Sequence, residues 1–218
     1  MELWVGAEAF VHAWSLYSGA TLAPFGGIQQ NGVRLRAVAG YGGFNYASPR
    51  WNGTAVETVK FQGAVSFADV LAGYHHQLGP VTLKIFAGLQ GGEHSISPDD
   101  PQSQVKGAGL GVKGVLEGWW NIGDKAWSSA DLAWGSLHQN YAARLRLGWR
   151  ALPMLSAGLE AGASGNEECD LARGGGFVRY EWARGEVALS AGLSGDRVGV
   201  ATVRSTGPFA TVSWLTRF

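Results

Sequence analysis

The sequence predicts an antiparallel transmembrane β-barrel of the outer-membrane type, with about twelve strands. Three observations lead there. Glycine supplies 34 of 218 residues, while Asp, Glu, Lys and Arg together make up only 16%. Ten tryptophans accompany a hydrophobic content of 46% and a mean hydropathy of zero. Period-two alternation of apolar and polar residues recurs along the whole chain. No run approaches the ~18 apolar residues that a spanning helix needs. An aromatic content of 11% with scattered charge excludes a disordered chain. In a barrel wall only every second residue faces lipid, so middling hydropathy follows from the architecture.

The strands fall at about residues 2–11, 14–24, 32–46, 58–74, 80–91, 104–118, 126–137, 140–150, 154–164, 171–182, 186–194 and 206–218. The first begins almost at once with Glu2-Leu3-Trp4-Val5. No basic-then-apolar signal precedes it, so the chain reads as a mature form whose export signal has been removed. In 32–46, Val33, Leu35, Ala37, Ala39 and Tyr41 share one face, against Arg34, Arg36, Val38 and Gly40. Strand 58–74 changes parity midway, as Phe61, Val65 and Phe67 lead into Ala68, Val70 and Ala72. A β-bulge or a misplaced boundary would each account for that. In 80–91, Val81, Leu83, Ile85, Ala87 and Leu89 oppose Thr82, Lys84, Phe86, Gly88 and Gln90. In 140–150, Tyr141, Ala143, Leu145, Leu147 and Trp149 oppose Ala142, Arg144, Arg146, Gly148 and Arg150. Segments 154–164 and 186–194 repeat the scheme, and none has helical spacing. The last strand places Ala210, Val212, Trp214, Thr216 and Phe218 on one face. Its closing Phe resembles the carboxy-terminal signature of outer-membrane proteins.

An even strand count brings both termini to the same side of the membrane, in one domain covering 1–218. Links after even-numbered strands are short: Gly26–Asn31, His75–Gly79, Asn121–Asp124, Ala151–Pro153 and Ala183–Gly185. Several links after odd-numbered strands are longer and polar: Ala47–Glu57, Gly92–Ser103, Gly165–Asp170 and Gly195–Ser205. Short periplasmic turns opposite longer external loops are the expected asymmetry, although the first and fourth external links are short. Tyr74, Trp120, Trp149, Trp182 and Trp214 fall on the apolar parity at periplasmic strand ends, as an interfacial girdle would. Tyr41, Trp134 and Tyr141 lie near the opposite ends. Trp4, Trp119 and Trp127 have the wrong parity or lie past a strand end, and are left out of the girdle.

The polar parity defines a lumen. Its basic members are Arg34, Arg36, Lys84, Lys113, Arg144, Arg146, Arg150, Arg173, Arg179 and Arg217. Its acidic members are Glu8, Glu117, Asp131, Glu160, Glu181 and Glu186. That makes a net positive interior, balanced by acidic loops and turns in a chain with 17 basic and 17 acidic residues. Inward glycines such as Gly148, Gly158 and Gly162 leave space for long side chains from across the barrel. Two readings of this interior stand at this point. Either the charges pair and fill it, or excess arginine lines a narrow path for anionic or sugar ligands. The filled or constricted interior is preferred.

Zero net charge removes the electrostatic case for nucleic acid. Cys169 is alone, which excludes an internal disulfide and a CxxC motif. Ser136, His138 and Asn140 are the best candidates for a hydrolytic trio, but ordinary loop polarity explains them better, so no catalytic residue and no enzyme activity is expected. The external loops carry Asp99 and Asp100 between prolines, and Asn166, Glu167, Glu168 and Asp170 around Cys169. Oxygen-rich loops can hold divalent cations. Neither has a defined ligand spacing, so a solvated acidic loop is preferred and neither metal nor cofactor is assigned.

Glu93-His94-Ser95-Ile96-Ser97-Pro98-Asp99-Asp100-Pro101, followed by Val105-Lys106-Gly107, resembles the BcsS family of cellulose-biosynthesis proteins. So do Gly165-Asn166-Glu167, Asp170, Arg173 and Gly175, and the early Gly40-Tyr41-Gly42. The resemblance implies an outer-membrane protein of Gram-negative bacteria associated with cellulose synthesis and export. It brings no catalytic residues. Its implied partners are outer-membrane lipid and lipopolysaccharide, cellulose or another polysaccharide, and proteins of the secretion machinery. The expected role is an accessory to exopolysaccharide secretion, acting through loops or a narrow lumen. A small channel for anionic or sugar solutes, or a plugged structural or adhesion barrel, are the alternatives.

Overall fold

Period-two sequence becomes wall. A computed structural model describes residues 1–51, 53–198 and 204–218, and these are almost entirely strand. The strands are β1 Glu2–Ala9, β2 Ala13–Leu22, β3 Gly32–Trp51, β4 Val56–Leu78, β5 Val81–Ser97 and β6 Gly107–Ile122. They continue as β7 Ala126–Gly135, β8 Tyr141–Leu152, β9 Leu155–Gly165, β10 Cys169–Trp182, β11 Gly185–Val198 and β12 Arg204–Arg217. A 3-10 turn, Leu137–Gln139, joins β7 to β8. Each strand pairs antiparallel with its sequence neighbours, and β1 pairs with β12 from Glu2–Arg217 to Ala9–Ala210. The sheet is therefore a closed twelve-stranded barrel with every backbone ladder satisfied, the requirement for crossing lipid with strands. The two chain ends meet, the Met1 amino group donating to the Phe218 carbonyl at 3.0 Å.

The outward set is apolar and exposed. Leu110 is 88% exposed, and Val70 and Leu159 are each 70% exposed. An apolar surface running round the whole barrel exceeds any patch that a water-soluble monomer tolerates, and it matches a lipid-facing belt. Tyr74, Trp120, Trp149 and Trp214 stand outward at the end that carries the termini. Trp182 meets Trp214 edge-on, with centroids 5.7 Å apart. Trp14, Tyr41 and Trp134 mark the other end.

Several boundaries differ from the sequence reading. Residues 47–57 and 92–103 read as loops because polar residues occupy both faces. The backbone nevertheless keeps pairing, with β3 running to Trp51, β4 starting at Val56 and β5 running to Ser97. Part of the barrel wall thus rises well past the girdle. His75–Gly79 is likewise mostly strand, and β4 turns into β5 through Gly79 at φ +57°, which glycine adopts without strain. The expected link Gly195–Ser205 includes residues 199–203, which lie outside the described residues.

Strand β4 contains no bulge. Its register with β3 runs unbroken from Gly32–His75 to Trp51–Val56, and with β5 from Gln62–Ser97 to Leu78–Val81. Odd residues point inward throughout, so Phe61, Phe67, Asp69 and Leu71 are lumen residues. The apparent change of parity arose because this strand is apolar on both faces. A register irregularity does occur in the β8–β9 pair, between Arg150 and Leu152.

Candidate functional site

Inside the barrel, near the end that carries the termini, aromatic rings and arginines pack together. Trp127 is 0% exposed and stacks on Trp119 with centroids 4.2 Å apart. Its indole N–H donates to the Ser156 hydroxyl at 3.3 Å, and Phe177 packs beside it. The Arg179 guanidinium lies 4.6 Å from the Trp119 ring and 5.1 Å from the Trp127 ring. Arg36 stands between Phe86 at 3.8 Å and Trp4 at 5.1 Å. Such cation–ring contacts gain strength where water is excluded. Trp4, Trp119 and Trp127, discounted for the girdle, are thus inward residues packed against arginines.

The inward glycines make room for these rings. A Cβ on Gly148 would lie 2.3 Å from the Trp127 ring, one on Gly19 2.2 Å from Trp4, and one on Gly6 2.3 Å from Tyr17. Each aromatic ring lies flat across a glycine of the neighbouring strand. The expectation that inward glycines serve long cross-barrel side chains holds at Gly162, where Arg173 Nε is 3.0 Å from the Cβ position. At most others an adjacent strand's ring, or its backbone, fills the space.

Inward cations and carboxylates are knitted together. Arg36 pairs with Glu117, and Lys84 lies 3.8 Å from Glu117 and 3.7 Å from Glu2. Lys113 pairs with Asp69 at 2.6 Å, Arg144 with Asp131 at 2.9 Å, and Arg146 with Glu160 at 2.6 Å. Arg173 bridges Glu8 at 3.2 Å and Glu160 at 3.3 Å. Arg179 takes Glu181 at 2.8 Å and Glu186, while Arg217 takes Glu2 at 3.0 Å. Glu2 and Asp69 were absent from the sequence-derived acidic set, so the positive excess is smaller than expected. The surplus cations are Arg34 and Arg150, which donate to backbone carbonyls of the turns at Gly27–Gln30 and at Asp124, with Asn121 also taking Arg150. Arg34 is only 1% exposed. These arginines hold turns in place.

Beyond these rings, toward the opposite end, lies a cavity of about 230 Å³. Glu8, Tyr17, Asp131, Arg144, Ser164 and Arg173 line it together with apolar residues that include Val115, Leu132 and Leu171.

Three loops interlock across the mouth. Asp100, 1% exposed, accepts from Arg50 Nε at 3.2 Å, Tyr46 OH at 2.8 Å and Gln102 N–H at 3.1 Å. Burial pushes its carboxyl up, but these three donors outweigh burial and hold it below the ordinary carboxylate value. Glu168 accepts from the Ser103 hydroxyl at 3.0 Å, from Val105 N–H at 3.2 Å and from Gln104 N–H. Residues 98–106 therefore form a strap from β3 to the β9–β10 turn, and β3 and β9 face each other across the ring. Asp99 pairs with Lys106 at 3.0 Å, and Tyr141 OH donates to Asp170 at 2.7 Å. Asn166 accepts from the N–H groups of Glu168 and Cys169, closing its own turn. Glu167 Oε1 lies 3.2 Å from His138 Nδ1. The preferred reading of solvated acidic loops is overturned at Asp100 and Glu168, because sequence does not show which donors a folded loop meets. Among the described residues no group of three His, Cys, Asp or Glu side chains is placed to hold a metal.

Ser136, His138 and Asn140 do not assemble as a trio. The Ser136 hydroxyl accepts from Val112 N–H at 2.9 Å, and Asn140 Nδ2 donates to the Leu137 carbonyl at 2.6 Å. His138 faces Glu167 and, edge-on at 5.1 Å, His94. Serine and asparagine are spent on shaping the turn.

Among solved structures, the fold is similar to LpxR from Salmonella typhimurium, with a TM-score of 0.53 and 12% identity over 100% of both chains. A KdgM porin aligns with 100% of this chain and 99% of its own, at TM-score 0.47 and 10% identity. A FadL homologue of Pseudomonas aeruginosa aligns with 94% and 68%, at TM-score 0.44 and 10% identity. Such identities speak to fold alone, and the fold is that of outer-membrane barrels. No curated protein sequence matches the chain. The family model described as cellulose biosynthesis protein BcsS matches residues 3–218, from the first strand through the closing one, and the chain therefore belongs to the BcsS family.

Proposed function

We propose that this protein is a non-catalytic outer-membrane accessory of bacterial cellulose production that works at its mouth and does not conduct the polymer. The observation that carries the reading is the packing of Trp119, Trp127 and Arg179, with Arg36 on Phe86, inside the barrel next to the termini, which supports a closed floor there. Paired arginines support a filled interior over an anion path, since a guanidinium already held by a carboxylate offers little to a passing anion. The apolar belt is the lipid contact, and the longer β3–β5 wall with its strap is the surface offered to polysaccharide, lipopolysaccharide or secretion proteins outside the cell of a Gram-negative bacterium. Planar-bilayer recording tests the closed floor, and a deletion strain tests the role. Electrical silence together with loss of surface cellulose, restored by the intact gene, is the expected result. A steady anion-selective current would replace this reading with a solute channel, and normal cellulose in the deletion strain would remove the accessory role.

A further inference from the structure

The cavity between the stacked rings and the strap sets two ion pairs into a largely apolar lining that includes Val115, Leu132 and Leu171, and that lining selects a chemistry. Glu8 and Asp131 are paired with Arg173 and Arg144, so the lining carries no net charge yet presents both donors and acceptors. An ion gains little in such a place, because each charge already has its counter-charge. A neutral polyol gains most. Its hydroxyls donate to carboxylates and accept from guanidinium N–H groups, and charge-assisted bonds of this kind are the stronger class.

Size and shape narrow the class further. About 230 Å³ is room for roughly eight waters at ~30 Å³ each, and it falls below the ~300 Å³ at which drug-sized pockets begin. One sugar ring fits. Tyr17 lies flat over Gly6, where a Cβ would sit 2.3 Å from the ring, so one face is against the wall and Tyr17 itself lines the chamber. A flat aromatic surface beside hydroxyl-binding groups suits a pyranose, which has an apolar C–H face and a polar rim. With the floor closed as proposed, the mouth is the way in and out.

We infer that this chamber binds a single neutral hexopyranose unit, either a free sugar or the terminal residue of a glucan. The inference rests on the reading that the barrel is closed at its floor and works through its mouth. Titration calorimetry on the refolded full-length barrel, with glucose and cellotetraose as probes, tests it. Folding is checked for each variant by heat-modifiable gel mobility. Saturable binding with a Kd of about 1 mM or tighter is expected, weakened at least about tenfold by Asp131→Asn and by Tyr17→Ala. Ser164→Trp, which fills the chamber and keeps every charge, should weaken it equally. Glucuronate should bind at least about tenfold more weakly than glucose. Binding of cellotetraose without glucose assigns the site to a chain end, and equal binding of both assigns it to the ring alone. No binding by the folded wild type, or unchanged binding by Ser164→Trp, overturns the inference. If sugar fails to bind but the gene restores cellulose, the chamber assignment falls and the accessory role stands. If sugar binds but deletion leaves cellulose normal, the reverse holds.

Discussion

Glu168 holds the Ser103 hydroxyl at 3.0 Å, a bond between residues 65 apart in sequence that ties the β5–β6 loop to the β9–β10 turn. The same carboxylate takes two backbone N–H groups of the strap. Glu168→Ala leaves those donors without their partner, so the strap end should detach while the barrel stays closed. Hydrogen exchange should quicken at Gln104 and Val105 by about tenfold or more, since lost charge-assisted bonds are each worth about 1.5–3 kcal/mol. Unchanged protection there would show that the strap is held by packing of Val105.

The other end of the strap is pH-sensitive, with a definite sign. Asp100 has its folded-state carboxyl lowered from the ordinary 3.8, so its ionised form is the one the fold favours. Its stabilising contribution is complete above the ordinary carboxylate range and is lost as pH falls through the lowered folded value. Exchange protection around residues 100–102 should hold at mildly acidic pH and fall only below that range. Asp100→Asn should remove protection at every pH. A loss of protection already near neutrality would contradict this anchor.

Strand number, facing and the girdle were legible because alternation is local and lipid enforces it on every outward position. Lumen membership was equally legible for Arg36, Glu117 and Arg146, which sit in cleanly alternating segments. It was not for Asp69, which lies on a strand apolar on both faces, nor for Trp119 and Trp127, whose wrong parity or position past a strand end sets them outside the girdle and gives them no other place. A hint was present. Aromatics on the inward parity match glycines on the next strand, as Trp127 does Gly148 and Tyr17 does Gly6. The partners of Asp100 and Glu168 had no signature, because they depend on register around half the ring and on how far β3 rises beyond the girdle.

The ring-on-glycine arrangement makes a quantitative prediction. Gly148→Val would place a side chain 2.3 Å from the Trp127 ring, and overpacking of this kind costs about 1–3 kcal/mol. The midpoint of urea unfolding should fall accordingly. In Trp127→Ala the same substitution should cost much less, because the ring it strikes is gone. Equal costs in the two backgrounds would mean that Gly148 serves the backbone approach of β8 to its neighbours and not the ring.

Removing the stacked rings is the most direct test of the proposed closed floor. Arg179 is held by Glu186 and lies against Trp119 and Trp127, whereas Arg36 is held by Glu117 and lies against Phe86 and Trp4. Replacing both tryptophans with alanine removes the two stacked rings at the centre of the floor. Large-to-small changes of this kind cost about 3–5 kcal/mol each in a packed interior, so the variant must first be shown to fold by heat-modifiable mobility. Once folded, it should pass discrete current steps in a planar bilayer where the wild type is silent. Arg179→Ala alone should remain silent, because it leaves the stacked rings in place. A folded double variant that stays silent would show that the ion-pair lattice from Arg146 to Arg173 closes the lumen without the rings. A wild type that conducts steadily would remove the plug altogether.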